Sequence, residues 1–308
     1  MQNSAPTLTL GTAWRLCRPG FLVITAVATL LGMASAAACG CGFDAVKAGV
    51  TVLLACMAHA GANVLNDYHD ARNGADAANP APLSPFTGGS RLIQQGAVSL
   101  EDARRLAWML LGLTALGGLW LAVKSGGGLL LVGMAGLLLG WAYSAPPLAL
   151  MKRGLGELTV AGVWWLVVIG ADYAQRGQFF LIPASIALSY AMLVANILLV
   201  NGLPDAASDA QVGKRTLAVR LGPRLSALLY LLLALLAHGW LALSAWLLVP
   251  PMQALWGLLS LPLSLGAAGL IWQRGTRPET LRPAIVLTIA ATVVHGLGMA
   301  AGLLSMPR

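Results

Sequence analysis

The chain has 308 residues, 58% of them hydrophobic and 10% charged, with a mean hydropathy of +0.77. A soluble core cannot hide that much apolar surface, so lipid must be the solvent. The formal charge of +8 does not mark a nucleic-acid binder, because the basic residues recur in alternate segments between apolar runs, which is the pattern of membrane topology.

A span of hydrocarbon needs roughly 20 mostly apolar residues. Runs of that kind fall at about 20–43, 47–66, 105–123, 127–144, 157–173, 179–201, 225–249, 252–272 and 283–305. The fold class expected is therefore all-α: a single domain over 1–308, forming a polytopic integral membrane bundle of nine transmembrane helices. The first run is too long, and too poorly flanked by small residues, for a secretory leader and is read as a retained span. Beside the first two runs lie Cys17, Cys39, Cys41 and Cys56, which lack a second pair at metal spacing. For Cys39-Gly-Cys41 a disulfide at the outer surface and small residues packed between helices are both open, and packing is the reading preferred.

The second run ends in NVLNDYHDARNGAD, which brings Asn63, Asn66, Asp67 and Asp70 to one membrane edge. Asn63, Asn66 and Asp70 stand at i, i+3 and i+7 and share a helical face, with Asp67 on its flank. His69 lies off that face and reads as a surface histidine, while His59, His238 and His295 fall inside spans and read as bonds between helices. The sixth run ends similarly in NGLPDAASDAQVGKRT, with Asn201, Asp205 and Asp209 at i, i+4 and i+8. Pro204 is expected to interrupt the helix there. The two polar ends lie about 135 residues apart, a weak sign of internal duplication.

Charge orients the chain. With the N-terminus inside, the inner segments hold Arg15, Arg18, Arg72, Arg91, Arg104, Arg105, Lys152, Arg153, Lys214, Arg215, Arg220, Arg224, Arg274, Arg277 and Arg282. Lys47, Lys124, Arg176 and Arg308 are left outside. The positive-inside rule thus favours an inner N-terminus, an outer C-terminus and an odd number of spans. Both acid clusters then fall on the cytoplasmic side, in a membrane expected to be the bacterial inner membrane. Carboxylates gathered there repel one another unless a cation intervenes, and Mg²⁺ suits hard oxygen ligands that share it with substrate phosphate. Arg91, Lys152, Lys214 and Arg215 supply cationic donors for such a diphosphate.

With these motifs the sequence resembles the UbiA superfamily of intramembrane aromatic prenyltransferases. The resemblance rests on Asn66-Asp67-Tyr-His-Asp70 and Asp205-Ala-Ala-Ser-Asp209, and it extends to Arg18-Pro19, Thr87-Gly-Gly-Ser-Arg91, Tyr143-Ser-Ala-Pro-Pro147, Gly156-Glu157 and Gly213-Lys214-Arg-Thr-Leu-Ala-Val-Arg-Leu-Gly222. It implies a central cavity under cytoplasmic cap loops, where Mg²⁺, a prenyl diphosphate and an aromatic acceptor meet. Asn66, Asp67, Asp70, Asp205 and Asp209 match the metal-diphosphate motifs. Arg91, Lys152 and Lys214 match basic positions at the diphosphate, as does Arg18 more weakly, and Asn63, Tyr143, Asn201 and Asp76 match the lining of the substrate site. Gly74 stands where the benzoate-type pattern has an acid, and Asp76 follows it. That arrangement is most similar to the branch that prenylates 1,4-dihydroxy-2-naphthoate for menaquinone. The NPAPLSP stretch at 79–85 matches nothing in it.

Other acceptors of the superfamily, namely 4-hydroxybenzoate, homogentisate, haem and geranylgeranylglyceryl phosphate, stay open at this point. The rival from another class is a secondary transporter, which would carry its binding groups at mid-membrane on broken helices. Here the acids sit at span ends.

Overall fold

The computed structural model describes residues 8–40 and 42–306, so Cys41 and Arg308 lie outside it. Helix is the only regular structure among the described residues. A chain dissolved in lipid requires this, since hydrocarbon offers no partner to backbone N–H and C=O groups. A short α1 (Leu10–Leu16) leads through Arg18 into α2 (Pro19–Ala38), where Pro19 occupies the first helical position and leaves no N–H unsatisfied. The Asp44 carboxylate accepts from the N–H groups of Val46 and Lys47 and starts α3 (Ala45–Asn73), which runs until Gly74 turns left-handed. A single turn, α4 (Ala75–Ala78), opens an irregular cap over 79–99 that ends at the Ser99 cap of α5 (Leu100–Ser125).

Then follow α6 (Gly128–Ser144), a 3₁₀ turn (Leu150–Arg153), α7 (Gly156–Arg176) and α8 (Leu181–Gln211). The chain continues through α9 (Leu217–Trp246), kinked at Gly222, a 3₁₀ segment (Met252–Ser260) that runs into α10 (Leu261–Arg274), and α11 (Arg282–Leu304). Counting the 3₁₀ segment with α10, eight helices among the described residues are long and apolar enough to cross a membrane. The 17-residue α6 is a shorter apolar one. Together they account for the nine runs expected, and large side chains such as Leu116, Leu131 and Trp246 face outward as lipid permits. The protein is an integral membrane protein.

Two expectations fail. Pro204 does not interrupt α8, which continues through it to Gln211. A proline in a membrane helix costs one backbone bond, and its neighbours can make this good. Cys39 is disulfide-bonded rather than simply packed between helices, while Cys17 and Cys56 are free.

The bundle has two unlike sides. On one, α9, the 3₁₀ segment and α11 pack tightly on α2 and α8 around Ile186, Tyr190, Leu241 and Met299. A Cβ on Gly302 would collide there with the carbonyl oxygen of Gln253. Four buried polar side chains in this side close on each other. His295 meets Ser189 Oγ at 2.6 Å and Ser260 Oγ at 3.1 Å, and His238 meets the same Ser260 Oγ at 2.8 Å. On the other side, α2, α3, α5, α6, α7 and α8 surround a cavity.

Candidate active site

The cavity has a volume of about 480 Å³. Its walls are mostly apolar, from Leu54, Leu119, Leu129 and Val163 among others, but one end gathers Asp70, Asp76, Asp205, Asp209 and Lys214. Helix geometry alone brings the first acids there: α3 stays regular to Asn73, so Asn63, Asn66 and Asp70 share the face that looks inward. On α8 the same periodicity carries Asn201, Asp205 and Asp209 to the opposing wall.

Lys214, just past the end of α8, joins the two walls. Its Nζ lies 3.0 Å from Asp70 Oδ2 and 3.3 Å from Asp209 Oδ1, and the ammonium is almost wholly buried. Burial opposes its charge, but the two carboxylates outweigh that and hold its pKa above the ordinary lysine value. Asp70 also accepts from Asn66 Nδ2 at 3.1 Å and Asn73 Nδ2 at 3.2 Å.

The cap supplies the rest. Asp205 accepts from Asn79 Nδ2 at 2.7 Å and from the backbone N–H of Gly88 at 3.0 Å, and Asp67 accepts from the N–H of Ser90 at 2.9 Å. Gly89 (φ 68°) sits between Asp67 and Asp76. A Cβ there would stand 3.0 Å from Asp67 Oδ1 and 2.9 Å from Asp76 Oδ2, so only glycine lets the loop lie this close to both acids. Burial, and then the nearby Asp70 and Asp67, push the Asp76 carboxyl up to about 8.

The residues expected at the site divide into two groups. Arg18, Asn63, Asn66, Asp70, Asp76, Tyr143, Asn201, Asp205, Asp209 and Lys214 all line the cavity. Asp67, Arg91 and Lys152 do not. Asp67 is buried behind the wall, with Oδ1 unpartnered. Arg91 donates to the carbonyl oxygens of Asp76 and Asn79 and so pins the cap loop. Lys152 is half-exposed on the 3₁₀ turn, where its carbonyl accepts from the N–H of Arg215. Arg18 donates to the carbonyl of Phe86, tying α2 to the same loop.

Among the described residues no group of three or more His, Cys, Asp or Glu side chains converges as a closed metal cage. The donor chemistry nevertheless fits Mg²⁺. Asp67, Asp70, Asp205, Asp209 and Asn66 present only hard oxygen ligands, and Asp67 Oδ1 is a buried carboxylate oxygen with no partner. Mg²⁺ takes one or two carboxylates and leaves the rest of its shell to water and phosphate oxygens.

Asn79, Gly88, Ser90 and Asn73 were missed as partners of the acids. The two backbone donors carry no side-chain signal, and the Asn79 contact spans 126 residues of sequence. The NPAPLSP stretch finds its use here. Its first residue donates to Asp205, and Pro82 packs beside Gly88.

A family model described as the UbiA prenyltransferase family matches residues 22–291. The chain is 31% identical over 244 residues to the 1,4-dihydroxy-2-naphthoate octaprenyltransferase of Mycobacterium tuberculosis, covering 79% of this chain and 80% of that one. It is 30% identical over 292 residues to the protein of the same description in Escherichia coli, covering 91% of each. The solved structure of a UbiA homolog from Archaeoglobus fulgidus bound to GPP and Mg²⁺ superposes with a TM-score of 0.63, over 96% of this chain and 99% of that one. At 17% identity this is a likeness of fold.

Proposed function

This chain belongs to the UbiA prenyltransferase family, and from that premise we propose that it transfers a prenyl group from a prenyl diphosphate to 1,4-dihydroxy-2-naphthoate, with Mg²⁺ held by the two acid clusters. One observation carries the reading: Lys214 bridges Asp70 and Asp209 from opposite walls at the polar end of an otherwise apolar cavity. The naphthoate acceptor is supported by the relatives that share most of the chain.

The residues divide the work. Asp67, Asp70, Asp205, Asp209 and Asn66 would hold the metal, which when bound supplies positive charge to the departing diphosphate. Lys214, and Arg18 beyond it, add fixed cationic donors on the diphosphate side. The allylic C–O bond breaks, the ring carbon of the acceptor forms the new C–C bond, and the displaced ring substituent leaves as a proton or as carbon dioxide. Apolar walls keep water from the cation before the ring reaches it. Purified protein given Mg²⁺, a set of prenyl diphosphates and a panel of aromatic acceptors should yield prenylated naphthoate by mass spectrometry and lose that product under EDTA. Full transfer after exhaustive chelation would refute the metal assignment.

The same reading sets the acid clusters in the cytoplasm of a bacterial inner membrane and Arg308 outside, as the distribution of basic residues supports. A reporter active only in the cytoplasm should work when inserted in the 72–90 loop and stay silent when fused after Arg308. A signal from the C-terminal fusion would reverse the orientation of the last span.

A further inference from the structure

The acid end leaves a second set of polar groups in the cavity unused. Deeper along the same walls, His59 on α3, Thr25 on α2 and Trp164 on α7 meet. His59 Nδ1 lies 2.8 Å from Thr25 Oγ1, and the His59 and Trp164 rings stand edge to face, 4.9 Å apart at 88°.

Two comparisons within the molecule set this trio apart. Thr29, Thr51, Thr114 and Thr159 also line the cavity, but each folds its hydroxyl back onto a carbonyl of its own helix. Thr25 instead reaches across to another helix. The neighbouring Trp165 donates its indole N–H to Ala184 O, and Trp240 donates to Ser185 O, while Trp164 Nε1 is buried with no acceptor at all. An unbonded indole N–H in an apolar wall is unfavourable and calls for a partner that the protein does not provide.

Hydrocarbon is not that partner, because a prenyl tail carries no hydrogen-bond acceptor. His59 precedes Asp70 by eleven residues on one continuous helix, which at 1.5 Å per residue sets it roughly 16 Å from the acid end. That separation leaves room for an aromatic ring system between the trio and the diphosphate. The indole N–H is donor-only, and the hydroxyl and imidazole can also donate, so the trio suits a ligand bearing oxygens.

Resting on the prenyltransferase reading above, we infer that Thr25, His59 and Trp164 seat the hydroxyl end of the aromatic acceptor, away from its carboxylate. They would thereby turn its reacting carbon toward the allylic end of the donor.

The test uses full-length protein in lipid nanodiscs, with T25V, H59L, H59Q and W164F. KM for 1,4-dihydroxy-2-naphthoate should rise roughly tenfold in T25V, H59L and W164F, the loss expected for one hydrogen bond, with KM for the prenyl diphosphate unchanged. H59Q, which keeps a donor at that position, should recover most of the acceptor affinity. In donor-free binding, the wild-type preference for this acceptor over its analogue lacking the ring hydroxyl remote from the carboxylate should shrink in W164F. Equal rises in both KM values, or an unchanged acceptor KM, would overturn the inference and leave the proposed function standing. Should the wild type prenylate a different aromatic acceptor, the naphthoate assignment fails and the same four variants are read on that acceptor. Equilibrium binding of naphthoate to donor-free protein gives a readout independent of turnover, and equal affinity in H59L and wild type would also count against the trio.

Discussion

Consider how each side of the bundle treats polar groups taken out of water. In the packed side, His238, His295, Ser189 and Ser260 satisfy one another within hydrogen-bond distance, and Tyr230 Oη closes on Thr288 Oγ1 at 2.9 Å. Unpartnered buried atoms occur on both sides, but those of the packed side are the hydroxyls of Ser185, Ser226 and Ser264 and the Asn196 amide oxygen, whereas the cavity side leaves a carboxylate oxygen of Asp67, the Trp164 indole N–H and Asn201 Oδ1, and there Asp70 and Asp209 share a single lysine. A closed network rigidifies a fold, whereas two carboxylates drawn to one lysine at the end of a cavity hold charge in reach of a ligand. The contrast teaches where a membrane bundle is scaffold and where it is chemistry.

The contrast breaks most readily at the acids. Asp70→Ala and Asp209→Ala should each lower prenyl transfer at least about a hundredfold, the scale seen when one preorganised electrostatic group is lost, while both variants remain folded. Lys214→Met should lose a similar factor and also unfold at lower temperature without metal, since Asp70 and Asp209 would face each other unneutralised. Added Mg²⁺ should restore its melting temperature but not its rate. Turnover within a few-fold of wild type in all three would make the acid end as structural as the histidine network.

A smaller effect of opposite kind is expected across the bundle. Ser260→Ala removes the hydroxyl shared by His238 and His295 and should cost about 1–3 kcal/mol of stability, with both KM values unmoved. Thermal unfolding and steady-state kinetics on the same preparation would check this. A kinetic defect without a stability defect would mean that the packed side takes part in the reaction.

The smallest effect sharpens the picture at the cap. The folded Asp76 carboxyl titrates at about 8 because of burial and then of Asp70 and Asp67, above the ordinary aspartate range. Folded protein therefore keeps a proton that the unfolded chain has already lost, so this group favours the fold at low pH and loses that contribution as pH rises through about 8. In metal-free protein the melting temperature should decline over about pH 4–8 and level off above that, and Asp76→Asn should flatten the decline. An identical slope in the variant would show that Asp76 is not the group responsible.

Much of this was legible in the sequence, and the reason differs by element. Asn63, Asn66 and Asp70 could be placed on one face because α3 is regular to Asn73, so spacing translates directly into direction. Asp205 and Asp209 followed by the same rule once the helix proved continuous through Pro204. Arg91 reads from sequence as a cation near a diphosphate, yet its guanidinium holds two carbonyl groups of the cap. A loop's hydrogen bonds depend on its path, and that path leaves no period to read. The Gly88 and Ser90 N–H groups that hold Asp205 and Asp67 were invisible for the same reason.

The shortness of α6 has a consequence for the lipid itself. Seventeen residues rise only about 26 Å at 1.5 Å each, against a hydrocarbon layer of about 30 Å. Local thinning is one way a bilayer accommodates a span shorter than itself. The wall formed by Gly133, Met134 and Leu137 lines the cavity. Thinning there would bring the headgroup layer toward the cavity and shorten the path of an amphiphile with a charged head and a long tail between water and hydrocarbon.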